Sequence, residues 1–514
     1  MSMDKTIGST VKHQQQLKIG YKKQMKTCLR SPSWGLVLLC ATFAFTVTIT
    51  VVVWTTDLIK IALNENMGIE NNTAGYDIWS NPPIYPIVQV YLFNYTNADA
   101  FAKGIDKKLR VQEVGPYVYR EYTEKVNIVF HDNGTVSYQG KSSFSFVPEL
   151  SVGHQPRHER VIMPNIPLLS ALSVMKDNFL LAQIAFLAVA RGLEAEQFVR
   201  VTAHDFMWGY DDPLFSAAAT MGHAMPYKKF GILASRVGVR KDTVTMYTGK
   251  RNLQKLGMVT RFNGQERLRH WSGECNRIDG TDGTMFPPNL LDRNTTIYIF
   301  QGNMCRRLPL QYTEDAVILG GIPVLRYRVP RNTFDNPDVN PENACFCHQD
   351  VESCLPSGLF NASPCTFGAP VVMSFPHFYL GDPALQEIVD GLNPDPEKHD
   401  GYIDIHQELG VSLGGRSRLQ FNMMVRKPSA LNQLADFADG SVLPIAWFDT
   451  SVEDLPKEIL SVVYHVTFTT RRVEKIMQYV LLAVSCALLY VLVRRFRNSR
   501  SPASNSDAGI VAPI

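Results

Sequence analysis

The stretch CFCHQDVESCLPSGLFNASPC, residues 345–365, brings four cysteines and a histidine close together. Thiols beside an imidazole can ligate zinc, shuttle electrons or be consumed as disulfides. Zinc sites are built mostly from C-x2-C pairs; here the pair is C-x-C, Cys345 and Cys347, followed by His348, and no second pair comes after it. A thioredoxin-type centre needs C-x-x-C, which the stretch lacks. Disulfides suit the spacing: on an extended segment Cys345 and Cys347 share one face, too constrained to bond each other and free to reach other partners.

Other reactive patterns dissolve on inspection. Gly410-Val411-Ser412-Leu413-Gly414 fits G-x-S-x-G, a nucleophile elbow that works only on a strand-to-helix turn. The next segment alternates Leu419, Phe421 and Met423 with Gln420 and Asn422, which predicts a strand and leaves Ser412 as a turn residue. GHQPRHER, with His154, His158 and Glu159, has the wrong order for a metalloprotease helix, and Pro156 opposes the helix itself. DGTDGT (279–284) offers Asp279 and Asp282 to calcium but lacks EF-hand spacing and reads as tight turns. No phosphate-cradling loop appears and the basic residues are dispersed. We expect no catalytic residue, no cofactor, no metal and no nucleic-acid partner.

The elements that must carry the cysteines set their compartment. Residues 35–54 and 476–493 are uncharged and about 20 long, roughly what a helix needs to cross a bilayer. The first is longer than a signal-peptide core and no cleavage site comes after it, so it reads as an uncleaved anchor. Lys and Arg dominate the tails, residues 1–34 and 494–514, which places both in the cytoplasm and residues 55–475 outside as one domain. Six of the nine cysteines fall in that domain, an even number, and six allow fifteen pairings. N-x-S/T sequons at Asn71, Asn94, Asn133, Asn294 and Asn361 agree with glycosylation there. Cys28, between Lys26 and Arg30 near the inner face, is a candidate for palmitoylation. A third apolar run, residues 179–190, is too short to span and predicts a helix, either in the core or at the surface. Segments such as 118–121, 135–139, 295–300, 324–329 and 419–425 are rich in β-branched and aromatic residues and predict strands; helical signal concentrates between about 167 and 206.

With those features in place, GPYVY (115–119), SVG (151–153), WGYDDP (208–213), GTDGTMFPP (280–288), FPHF (375–378) and DGLNPDPEKH (390–399) resemble the class B scavenger receptors in order along the loop and between both anchors. The resemblance implies two transmembrane helices flanking a large antiparallel β-barrel-like ectodomain, with apical helices at about 163–207, a disulfide region at 275–365 and an apolar tunnel. It implies the pairs Cys275–Cys345, Cys305–Cys365 and Cys347–Cys354. It implies ligand contact at the apex by Phe179, Leu180, Ile184, Phe186, Leu187 and Arg191. The function implied is binding of lipoprotein particles and uptake of fatty acids, sterols or carotenoids, with the bilayer as partner. A rival within the family is a lysosomal or endosomal trafficking receptor that holds a protein ligand at the apex. The tail offers only Asp507 ahead of Ile510-Val511, one position short of an acidic-dileucine signal, so the plasma membrane is the expected residence and the endosome or lysosome membrane the alternative.

Overall fold

The computed structural model describes residues 34–152, 155–220, 229–347, 354–366, 368–452 and 455–500; Cys28, His154, His348 and Asp507–Val511 lie outside the described residues. The chain divides into two compact units, one formed by its two ends and the other spanning Leu63–Tyr464. In the first, α1 (Trp34–Thr55) packs along the C-terminal helix Thr470–Arg500. Both are long and apolar enough to cross a bilayer. The Thr50 and Ser485 hydroxyls meet at 3.1 Å, and Trp54 stands edge-on to Tyr479. Hydroxyls that pair between helices, or back-bond to carbonyls as Thr50 does to Thr46, leave little polarity facing lipid.

The second unit is dominated by one antiparallel sheet. β1 (Ile87–Tyr95), β2 (Leu109–His131) and β3 (Thr135–Phe146) form a meander. β4 (Arg160–Pro164) and β5 (Phe198–Thr202) make a separate ribbon, with β4 against β1 and β17. β6 (Gly238–Val239), β7 (Val244–Tyr247) and β8 (Val259–Phe262) continue beyond β3. β9 (Ile297–Gln301), β10 (Arg306–Ile318) and β11 (Ile322–Arg328) form a second meander. β12 (Phe360–Asn361), β13 (Val371–Ser374) and β14 (Val389–Asp390) are short; β15 (Tyr402–His406), β16 (Val411–Met424) and β17 (Val442–Val452) complete the sheet. The order is β8-β7-β3-β2-β1-β17-β16-β15-β11-β10-β9. The segments expected to be strands fall in β2, β3, β9, β11 and β16.

Two edges remain, β8 and β9, and the DGTDGT turn closes them. The Val259 N–H donates to Gly280 O (2.7 Å), the Thr281 N–H to Tyr298 O (2.9 Å) and the Phe300 N–H to Thr281 O (2.8 Å). A Cβ on Gly280 would stand 2.9 Å from Tyr298 O, closer than packing tolerates, so the seam requires glycine. Asp282 anchors it: the carboxylate accepts from Tyr138 Oη of β3 at 2.8 Å and from the Thr284 N–H at 3.0 Å, and faces Lys125 Nζ of β2 at 3.8 Å. Burial opposes charge on Asp282, but Lys125 and the bonds from Thr284 and Tyr138 outweigh it and hold the carboxyl below its usual range; burial pushes Lys125 below its own. With Asp279 bound by Arg277 and by Arg307 at 3.2 Å, neither carboxylate is laid out for calcium.

Breaking one member of a buried ion pair strands the other. Asp282→Asn is expected to lower stability by about 3 kcal/mol or more, and Lys125→Met added to it to recover part of that loss. Thermal unfolding of the single and double variants checks both.

Candidate functional site

The helical end of the unit is built on Asn165. Its side chain accepts from the Leu168 N–H at 3.0 Å and donates to Glu196 O at 2.9 Å, capping α2 (Ile166–Lys176) and tying it to the chain returning into β5. α2 buries Ile166, Leu168, Leu169 and Leu172. α3 (Leu180–Gly192) comes directly after, then β5 and α4 (Ala203–Trp208), so the expected helical region contains a strand. Neither Asp177 nor Asn178 caps α3. Phe179 occupies the cap position, while Asn178 Nδ2 bonds back to Val174 O at 2.7 Å and Gln183 Nε2 donates to Met175 O and Asn178 O.

The structure decides between the two readings of the apolar run. Ala190 is buried and Phe186 and Leu187 pack onto the core, but Phe179, Leu180, Leu181 and Ile184 are 70, 61, 69 and 52% exposed. Four large apolar side chains contiguous in water are the mark of a surface that meets something apolar. Behind them one hydrophobic cluster runs without interruption from Leu168, Leu172 and Phe206 of the helices into Val90, Leu92, Tyr117, Met423 and Ala446 of the sheet. Lys176–Asp439 (2.6 Å) and Arg426–Asp177 (3.6 Å) rim the ridge, and Arg191 donates to the neutral Gln433.

A polar network missed in the sequence crosses the sheet below. Glu113 Oε2 accepts from His377 Nε2 at 2.6 Å and from Trp447 Nε1 at 2.7 Å. His377 Nδ1 accepts the Asn393 N–H at 3.0 Å and His399 Nδ1 the Asp395 N–H at 2.9 Å, and the two rings stack at 4.6 Å. From the His377 backbone the chain continues through Gln420 to Asn422 and Ser374, all fully buried. FPHF and DPEKH carry these histidines, yet nothing local announces Glu113 as their partner.

The disulfides join Cys275 to Cys345, Cys305 to Cys365 and Cys347 to Cys354. Cys345 lies in a 3₁₀ turn, not an extended segment, because Asn340 caps Pro341–Phe346. Among the described residues the one metal-like cluster, His270 with Cys305 and Cys365, has spent its thiols on a disulfide. On chain-entropy grounds the separations of 70, 60 and 7 residues correspond to about 4, 4 and 2 kcal/mol. Ser412 sits inside β16 rather than in a turn, because Val411 and Ser412 pair with His406 and Ile405 of β15. Its hydroxyl is 3.4 Å from Gly414 O and no elbow forms, and Glu159 accepts from Tyr117 Oη at 2.7 Å. Asn71, Asn133 and Asn294 are exposed; Asn94 and Asn361 are half-buried, with Asn94 Oδ1 holding the Ile162 N–H.

Acid should loosen the polar network. Burial, then the adjacent His377, push His399 from 6.5 down to about 4. The neutral ring is therefore favoured in the fold: its contribution to stability is complete above 6.5 and lost as pH falls from there to about 4. Burial opposes charge on Glu113, but the bonds from His377 and Trp447 outweigh it and hold the carboxyl low, so its contribution is lost in the same direction. Unfolding temperatures between pH 7 and 4.5 should fall, and fall less in His399→Asn.

Comparison with known proteins agrees with this architecture. The CD36 family model matches residues 36–496. Scavenger receptor class B member 1 of Bos taurus is 34% identical over 446 residues, 86% of this chain and 85% of that protein. Lysosome membrane protein 2 is 33% identical over 429 residues in Rattus norvegicus and 32% over 426 in Homo sapiens, each covering 82% of this chain and 86% of the relative. Two apolar terminal helices, a nearly closed antiparallel sheet and a match over most of its length make this chain a two-pass membrane receptor of the CD36 family, the class B scavenger receptors.

Proposed function

We propose that this receptor docks lipoprotein particles or other lipid carriers at the α2–α3 ridge and passes single apolar lipids, such as fatty acids, sterols or carotenoids, through the ectodomain to the bilayer. The exposed ridge of Phe179, Leu180, Leu181 and Ile184 carries the reading. The apolar cluster behind it supports the reading: a lipid tail that leaves water for apolar surroundings gains roughly 0.8 kcal/mol per buried CH2, with no chemical step. Phe186 and Leu187 stand where the ridge meets that cluster, and Arg191 offers a cation to anionic headgroups. Residues 55–475 face outward with glycans at the five sequons, both tails lie in the cytoplasm, and Cys28 is the acylation site. The plasma membrane is the proposed residence.

A second reading is supported by the near-equal identity to lysosome membrane protein 2: the same ridge holds a protein cargo and the receptor works in endosomes or lysosomes. In cells expressing Phe179→Ser/Leu180→Ser/Ile184→Ser, lipoprotein binding and lipid uptake are expected to fall about tenfold with the unfolding temperature unchanged, since the replaced groups are already in water. Wild-type uptake by the variant would defeat the lipid reading. Surface biotinylation of intact cells separates the two residences.

A further inference from the structure

The hairpin between β10 and β11 ends in an apolar tip. Residues 316–325, AVILGGIPVL, hold no charge and no polar side chain. Ile318 pairs with Ile322, and the turn Leu319–Gly321 is made by Gly320 and Gly321 at φ 81° and 76°, a geometry glycine adopts without strain. Val317 and Leu319 are 70 and 59% exposed. Turns that end in water are normally polar, so this tip has the composition of a buried segment in an unburied place.

Its surroundings name the missing partner. The turn packs against the short helix Lys457–Tyr464, whose Val463 is buried while Val462 remains exposed. That helix runs on through residues 465–469 into the C-terminal helix, whose apolar span starts within the following two turns. The tip thus packs on a helix that ends at Tyr464, about a dozen residues along the chain before the apolar span of residues 476–493. Along the hairpin itself, charge lies behind the tip: Asp315, two residues and about 7 Å before Val317, pairs with Arg293 at 2.6 Å, and Glu314 reaches Arg326 and Arg328. Asn294, beside Arg293, lies in this polar band rather than at the tip.

We infer that the β10–β11 tip is a membrane-inserting element: Val317, Ile318 and Leu319 enter the acyl region of the outer leaflet, with the Asp315–Arg293 and Glu314–Arg326 pairs at headgroup level. The two glycines keep the turn slim enough to enter without spreading the lipids, and the hairpin's own ladder satisfies the backbone bonds there.

The test uses the full chain in phosphatidylcholine nanodiscs, with Cys28→Ser, Cys40→Ala and Cys486→Ala as background. An environment-sensitive nitrobenzoxadiazole label is placed at Leu319→Cys, at Val317→Cys in case the first fails to fold, and at Ile105→Cys, an exposed control away from the tip. Nitroxide on the upper acyl chain should cut emission from 319 or 317 at least about twofold and leave 105 unaffected, while aqueous iodide should do the reverse. Iodide quenching at 319 and 317 equal to that at 105, with no lipid quenching, would overturn the proposal. So would self-quenching that disappears on dilution into empty lipid, which would make the tip an interface between two copies.

Discussion

Everything in the ectodomain depends on a seam three residues long. A sheet of this length presents two unpaired edges, each a template for foreign strands, and closure is the surest way to remove them. Gly280 and Thr281 supply the missing ladder between β8 and β9, and Asp282 fastens it to β3 and β2 through Tyr138 and Lys125. The glycine is required by a carbonyl 2.9 Å from where its Cβ would be. The Cys275–Cys345 and Cys305–Cys365 disulfides begin on either side of this seam, so covalent links reinforce the region where the hydrogen-bonded ladder is thinnest.

With the sheet closed, the helices have nowhere to bury a second face. α2 uses its apolar side to seal the end of the core, and α3 comes to rest over it with Gln183, Phe186, Leu187 and Ala190 turned inward. The exposed ridge is thus a consequence of topology as much as of composition. An α3 free to fold back would hide Phe179 and Leu180; the Asn165 cap, the Gln183 bonds to Met175 and Asn178 and the Arg191–Gln433 contact hold it out.

Much of this is legible in the sequence, for local reasons. The two spans are given away by uncharged length, and the strands by β-branched and aromatic segments between turn residues. The alternation of Leu419, Phe421 and Met423 is enough to deny Ser412 its elbow, although β16 reaches further back than that alternation and takes in Ser412 itself. What escapes depends on partners far away in the chain. Thr281 looks like a turn residue until Tyr298 and Phe300 come beside it, and Glu113 is an ordinary strand glutamate until His377 and Trp447 converge on it. Sequence alone does not assign the helix of residues 179–190 to core or surface, because hydrophobicity specifies that a side should be covered and not whether anything in the same chain is left to cover it. Asn340-Pro341 is a readable signal for the turn that carries Cys345, and it argues against the extended segment expected there.

The pairing of β1 with β17 has a temporal side. Ile87 lies opposite Ser451, so one flank of an early strand waits for nearly the whole domain to be made. At ribosomal speeds of about 5–20 residues per second, that flank stays open for roughly twenty to seventy seconds. All six paired cysteines have appeared by residue 365, before β17 exists. The staples can therefore lock the half that carries β9, β10 and β11 while the other half is still waiting. The open flank of β1, with Val88, Val90 and Leu92 along it, is the surface a chaperone must guard during synthesis.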